Sequence, residues 1–288
     1  MSIKNKIKKV IDFLLKDRNV TIADIKTIKP NKILEQKHIV ITGASRGIGY
    51  AIAKRCILEG AEVLITGRNE KTLIEVSKKL GNKCKYLVFD IENINNISKL
   101  IKEATRIFNN RIDCLVSNAG INAGVIKDSD DFHFVTEYAW DKQININLKG
   151  NYFLLKAFVE YWEQCENTKG NIVVISSNRS KKIADSPYAI SKYGVNNIIV
   201  KGMSRKAIEK GIRINGVAPG TVTTTMTGYK NNGINENIFL EEQAGKRAFL
   251  PEEIAEVVNF LLSDASACIS GEIIACDQGS YIYPSFYN

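Results

Sequence analysis

Histidine is almost missing from this chain. His38 and His133 are the only two among 288 residues, which argues against a histidine-built metal centre. Six cysteines are present, Cys56, Cys84, Cys114, Cys165, Cys268 and Cys276, but no pair has C-x-x-C spacing. They read as small buried hydrophobes in a reducing compartment, and argue against a disulfide framework or a zinc site. No apolar run approaches the roughly 18 residues that a spanning helix needs. The N-terminus also lacks a continuous apolar core and a small-residue cleavage site, so no signal peptide is expected and the location read from the sequence is cytoplasmic. Charge of one sign is in excess, with 40 Lys and Arg against 31 Asp and Glu, a net +9. The lysines are nevertheless dispersed among acids with no basic stripe interleaved with aromatics, so no nucleic-acid partner is expected.

What is present is a repeated alternation of short β-rich runs with helical patterns, the signature of parallel βαβ units. Strands are expected near 38–42, 62–66, 84–89, 112–117, 171–176, 212–217 and 272–276, and helices near 47–59, 70–80, 95–108, 135–165, 187–209 and 251–263. Right-handed crossovers turn this order into one α/β, Rossmann-like, doubly wound parallel sheet of about seven strands with helices on both faces. Residues 36–288 form that domain. Residues 1–35 precede it as an extension in which Ile3, Ile7, Val10, Ile11 and Leu14 recur at helical spacing among lysines. This basic amphipathic helix suits packing against its own domain or a neighbouring subunit. Contact of residues 1–18 with an anionic membrane surface is the less favoured alternative.

The first strand runs into Thr42-Gly43-Ala44-Ser45-Arg46-Gly47-Ile48-Gly49 and then a helix. Strand, glycine turn and helix together let backbone N–H groups close on a pyrophosphate. Further motifs follow later strands: Asn118-Ala119-Gly120, then Ser177, then Tyr188-x-x-x-Lys192, then Pro219-Gly220. Y-x-x-x-K also occurs at Tyr50/Lys54, Tyr138/Lys142 and Tyr152/Lys156. Only Tyr188/Lys192 comes just after a strand ending in serine and is flanked by the small Ala189, Ser191 and Gly194.

In that order, from about Gln36 to Tyr281, the chain resembles the short-chain dehydrogenase/reductase family in its compact form. The resemblance implies a catalytic set of Asn147 (in Trp140-Asp141-x5-Asn147-Leu148-x-Gly150), Ser177, Tyr188 and Lys192. Ser176 is a fallback for the serine, because the eleven positions from Ser177 to Tyr188 are fewer than the family's usual gap. It also implies a nicotinamide dinucleotide held by Gly43, Ser45, Arg46, Gly47, Ile48, Gly49, Arg68, Asp90, Asn118, Ala119, Gly120, Tyr188, Lys192, Pro219, Gly220, Val222 and Thr224. Thr221, Thr223 and Thr225 surround Thr224 and leave its register open. The second strand ends in Gly67-Arg68-Asn69 with no acidic residue to meet a ribose 2′-OH. Arg68 and Arg46 instead suit a 2′-phosphate, which points to NADP.

The expected activity is interconversion of a carbonyl and a secondary alcohol. Segments 121–137, 178–186 and 225–248 are the expected substrate walls. They carry Asn122, Lys127, Asp128, Asn178, Arg179, Lys181, Lys182, Asn231 and Asn232. That polarity favours a sugar or polyol, with a 3-oxoacyl thioester as the alternative. A non-catalytic dinucleotide sensor would show a damaged catalytic set, and this one is intact. An extended-type epimerase or dehydratase would need a longer C-terminal region and a T-G-x-x-G-x-x-G turn. The resemblance also implies a homo-oligomer, commonly a tetramer, built through the helices near 135–165 and 187–209.

Overall fold

The computed structural model describes residues 20–22, 30–122, 135–165, 169–182, 186–228, 236–240 and 243–282. The basic helix expected within 1–18, and Lys127, Asp128, Asn231 and Asn232, lie outside them.

The first described strand, β1 (Val20–Ile22), is followed by β2 (His38–Thr42), β3 (Glu62–Gly67), β4 (Cys84–Val88), β5 (Cys114–Ser117), β6 (Asn171–Ile175), β7 (Arg213–Pro219), β8 (Glu236–Ile238) and β9 (Ile273–Cys276). Seven of these form one sheet in the order β4-β3-β2-β5-β6-β7-β9, every neighbouring pair parallel. The strands are apolar without alternation because both faces are covered. Along β2, Ile39 and Ile41 join one core layer with Val63 and Ile65, and Val40 joins the opposite layer with Leu64, Leu115 and Trp162. The doubly wound sheet is thus as the sequence predicts. The pairing of β1 with β8, antiparallel with Val20 opposite Ile238, was not foreseen. It ties the N-terminal segment to the stretch read as a substrate wall.

The helices are α1 (Gly47–Leu58), α2 (Glu70–Leu80), α3 (Ile97–Ile107), α4 (Glu137–Ile144), α5 (Asn151–Glu163), α6 (Pro187–Gly194), α7 (Ser204–Ala207) and α8 (Pro251–Leu262). Two helices read as continuous from the sequence contain wide, π-helical turns, at Asn145–Gly150 between α4 and α5 and at Val195–Met203 between α6 and α7. Such turns insert an extra residue and redirect the side chains beyond them. Chain order reverses where β2 lies between β3 and β5, and the crevice at the carboxyl ends of the strands opens there. Among the described residues no helix is long and apolar enough to cross a membrane.

Candidate active site

A cleft of about 260 Å³ opens at this crevice, lined by residues from the ends of β2, β3, β5, β6 and β7 and from α6. Every residue expected to hold the cofactor lines it, from Gly43 to Thr224, and so do Ser177, Tyr188 and Lys192. Asn147 is fully buried just behind the wall.

The glycine turn is shaped by crowding. Gly43 has φ +65° and Gly47 φ +57°, in the left-handed region that only glycine enters at little cost. Gly49 has no such φ, but a Cβ there would sit 2.5 Å from the Asn118 amide nitrogen and 2.7 Å from the Gly43 carbonyl. Asn118 is why the space is taken: its Nδ2 donates to the carbonyls of Thr42 and Gly43 at 2.9 and 3.0 Å. Its amide therefore stitches β5 to the turn. Thr42 completes the seam, its Oγ1 accepting from the backbone N–H groups of Asn118 and Ala119, both at 3.1 Å. The first turn of α1 has no side-chain cap, so its leading N–H groups face the cleft unclaimed by one. That arrangement fits an anion. Arg46 and Arg68 are exposed at the rim, and among the described residues neither has an ion-pair partner. A dinucleotide with an additional phosphate fits this donor set.

Of the four clustered threonines, Thr224 and Thr225 line the cleft. Thr223 turns inward to the Phe249 carbonyl, and Thr221 accepts from Gln243 at 3.4 Å. Thr224 packs its methyl against Gly47, 3.3 Å from where a Cβ there would stand.

The groups expected to be reactive line the same cleft. Ser186 caps α6, accepting from the Ala189 N–H at 3.3 Å, and Pro187 takes the first helical position. Both are favoured helix starts, and they place Tyr188 in the first turn. Burial pushes the Tyr188 phenol above its ordinary pKa, while the Ser177 hydroxyl, within hydrogen-bonding reach, and the Arg179 charge pull it back. Ser176 also lines the cleft, but its hydroxyl turns to Ser180 at 3.5 Å. Lys192 lies one turn beyond Tyr188, its Nζ 5.8 Å from the centre of the phenol ring and donating to the Ile175 carbonyl at 2.9 Å. Burial depresses its pKa to about 8. Asn147 sits in the first π turn, accepting from the Ile121 N–H at 2.8 Å and donating to the Ile121 carbonyl at 2.9 Å and to Ser191 at 3.2 Å. Gly120 keeps open the space between Asn147 and Lys192: a Cβ there would lie 3.2 Å from Asn147 Oδ1 and 3.6 Å from Lys192 Nζ.

A sequence-family model described as enoyl-(acyl carrier protein) reductase matches residues 43–281. This chain belongs to the short-chain dehydrogenase/reductase family. It is 33% identical over 252 residues to the 3-oxoacyl-[acyl-carrier-protein] reductase FabG of Rickettsia felis, covering 85% of this chain and 97% of that protein. It is 31% identical over 253 residues to the sorbose reductase sou1 of Schizosaccharomyces pombe, covering 85% and 96%. Among solved structures, a short chain dehydrogenase from Mycobacterium smegmatis superposes with a TM-score of 0.74 at 27% identity, covering 88% of this chain and 96% of that one. As a member of the short-chain dehydrogenase/reductase family, the chain is an oxidoreductase with a site for a nicotinamide dinucleotide.

Several residues at the site escaped the sequence reading. Thr42 begins the glycine motif but carried no assignment. Ser191, fully buried, links Asn147 to the Tyr188 carbonyl, to which it donates at 2.7 Å. Asn151 reaches the carbonyls of Ile146 and Asn147 at 3.1 and 3.0 Å and meets Ser117. Gln143 donates to the Ile121 carbonyl at 2.8 Å. The signal available for Gln143, Asn151 and Ser191 was a polar residue one helical turn from a motif position, whereas Thr42 stands within the glycine motif itself.

Proposed function

We propose that this chain is an NADPH-dependent carbonyl reductase in which Tyr188 protonates the substrate oxygen. The observation that carries the reading is that the Ser177 hydroxyl, the Tyr188 phenol and the buried Lys192 ammonium lie together in the cleft that the glycine turn also lines. A reduced nicotinamide held in this cleft would supply the hydride for the carbonyl carbon. Ser177 donates to the substrate oxygen as charge builds on it. Tyr188 gives that oxygen its proton, leaving a phenolate that Lys192 stabilises by its charge. Asn147, pinned to Ile121, keeps the space beside Lys192 in which solvent returns the proton. Arg46 and Arg68 would hold the 2′-phosphate, the α1 N-terminus would hold the pyrophosphate, and Asp90 would contact the adenine.

For the substrate, a 3-oxoacyl thioester is the first reading, supported by the FabG likeness across nearly the whole of that protein. A keto-sugar is the second, favoured by the hydroxyls of Thr224, Thr225 and Thr227 along the cleft and by the sorbose reductase likeness. Apolar side chains left exposed on the helices, Tyr138, Trp140, Phe153, Tyr193 and Ile198, support assembly of copies through those helices.

The test is NADPH oxidation with acetoacetyl-CoA and with L-sorbose, alongside Tyr188→Phe. Loss of a positioned proton donor lowers kcat by about 10²–10⁴. A Tyr188→Phe protein with wild-type turnover overturns the assignment. Tight NADPH binding without reduction of any carbonyl supports the sensor reading instead.

A further inference from the structure

Ser177 and Tyr188 belong to different elements, and the chain between them is short. Ser177 is extended (φ −162°) and caps the single 3-10 turn Asn178–Lys181, accepting from the Arg179 N–H at 3.2 Å. A hydroxyl on such a turn needs something to hold the turn against the tyrosine helix. The helix provides three groups at successive turns of one face, Tyr188, Lys192 and Asn196. Lys192 grips the Ile175 carbonyl at the end of β6, two residues before Ser177. Asn196, just inside the second π turn, reaches past it and donates to the Ser180 hydroxyl at 2.5 Å. Ser180 in turn donates to the Ser177 carbonyl and accepts from Ser176 at 3.5 Å. Both residues are buried, Ser180 at 5% and Asn196 at 4% exposure, and the donor and acceptor capacity of the Ser180 hydroxyl is fully used. Among the described residues the Oδ1 of Asn196 is buried without a hydrogen-bond partner. From the far side, Asn178 donates to the fully buried Asp277 at 3.1 Å, whose other contacts are the Gly279 and Tyr281 N–H groups.

We propose that Ser180 and Asn196 are positioning residues for the carbonyl-reducing reaction: their buried bond clamps the Ser177 turn to the tyrosine helix and sets Ser177 against Tyr188. This rests on the reading of the site given above. Neither Ser180 nor Asn196 lines the cleft, so the clamp should act on kcat and leave the cofactor pocket alone.

The test uses the full chain, NADPH, and whichever of acetoacetyl-CoA or L-sorbose the wild type reduces. Ser180→Ala and Asn196→Leu should each lower kcat about tenfold, with NADPH affinity within about twofold of wild type. Because they break the same bond, the double variant should be no slower than the slower single variant. Ser180→Thr, which keeps the hydroxyl, should retain most of the activity. The proposal is overturned by unchanged kcat in the single variants, by losses that multiply in the double, or by loss of NADPH binding in parallel with kcat. If Ser180→Ala does not fold, Asn196→Leu and Ser180→Thr still decide it. A Tyr188→Phe protein that is dead beside normal Ser180 and Asn196 variants removes the clamp alone. A Tyr188→Phe protein that is active, or a wild type inert toward both carbonyls, removes the underlying reading and the clamp with it.

Discussion

Lys192 shows how far a single residue can be set against the stability of its own fold. Its ammonium is nearly enclosed, with the Ile175 carbonyl as its hydrogen-bond partner and no carboxylate among the described contacts. Burial brings its pKa to about 8, against about 10.4 in an open chain. Between those values the unfolded chain binds a proton that the folded chain does not, so this group's contribution to stability rises with pH across that window. Below about pH 8 both states are protonated and the full burial penalty applies. Lys192→Met removes the penalty but leaves the Ile175 carbonyl without its donor, so a net gain of about 1–2 kcal/mol is expected at pH 7. That gain should vanish by about pH 10, while activity is lost at both. Urea unfolding of the two proteins without nucleotide, at pH 7 and pH 10, checks this. A variant with the same stability difference at both pH values would mean that Lys192 is not depressed.

At the scale of elements, the glycine turn and the two π turns do the positioning, and they differ in how visible they are in the sequence. The turn is legible because its constraint is local: Gly43 and Gly47 need positive φ, and Gly49 must admit the Asn118 amide. Gly49→Ala puts a methyl 2.7 Å from backbone and should cost about 1–3 kcal/mol while weakening NADPH binding at least about tenfold. Gly81 is the control. It has φ +91° and ψ −170° with nothing within 4 Å of a Cβ, so Gly81→Ala should carry only backbone strain of about 1–3 kcal/mol and bind NADPH normally. Calorimetric titration of both variants separates the two kinds of glycine; equal NADPH affinity in both would contradict the crowding argument. The seven parallel strands and their helices were equally legible, because continuous apolar runs and 3.6-residue periodicity survive in any context. The π turns were not. A one-residue insertion in a helix leaves the apolar pattern almost intact, yet it decides where Asn147 and Asn196 point. The hydrogen-bonding roles of Thr42, Asn151 and Ser191 are not legible for a related reason: small polar residues look alike in sequence whether they face water or, as here, buried backbone. The β1–β8 pairing joins segments more than two hundred residues apart through three residues each, too short and too distant for any local pattern to reveal.

For the molecule as a whole, the nucleotide is a folding ligand as well as a reactant. Its proposed contacts come from the α1 N-terminus and the ends of β2, β3, β5 and β7, so binding couples the two halves of the sheet across the switch point. At a free concentration of 100 Kd, such a ligand adds about 2.7 kcal/mol to stability, worth about 5–8 °C in Tm. The proposed preference for the 2′-phosphate rests on Arg46 and Arg68, both exposed, so their contribution is screened by salt. NADPH should therefore raise Tm more than NADH at equal concentration, with the difference shrinking as ionic strength rises. Replacing both arginines by alanine should bring the NADPH shift down to that of NADH while leaving the NADH shift in place. Differential scanning fluorimetry of wild type and Arg46→Ala/Arg68→Ala, in about 0.05 M and 0.5 M salt, reads all of these at once. Equal shifts for the two nucleotides in the wild type would mean that the missing acidic residue after β3 does not set cofactor choice. A difference that survives in the double variant would place the phosphate elsewhere in the cleft.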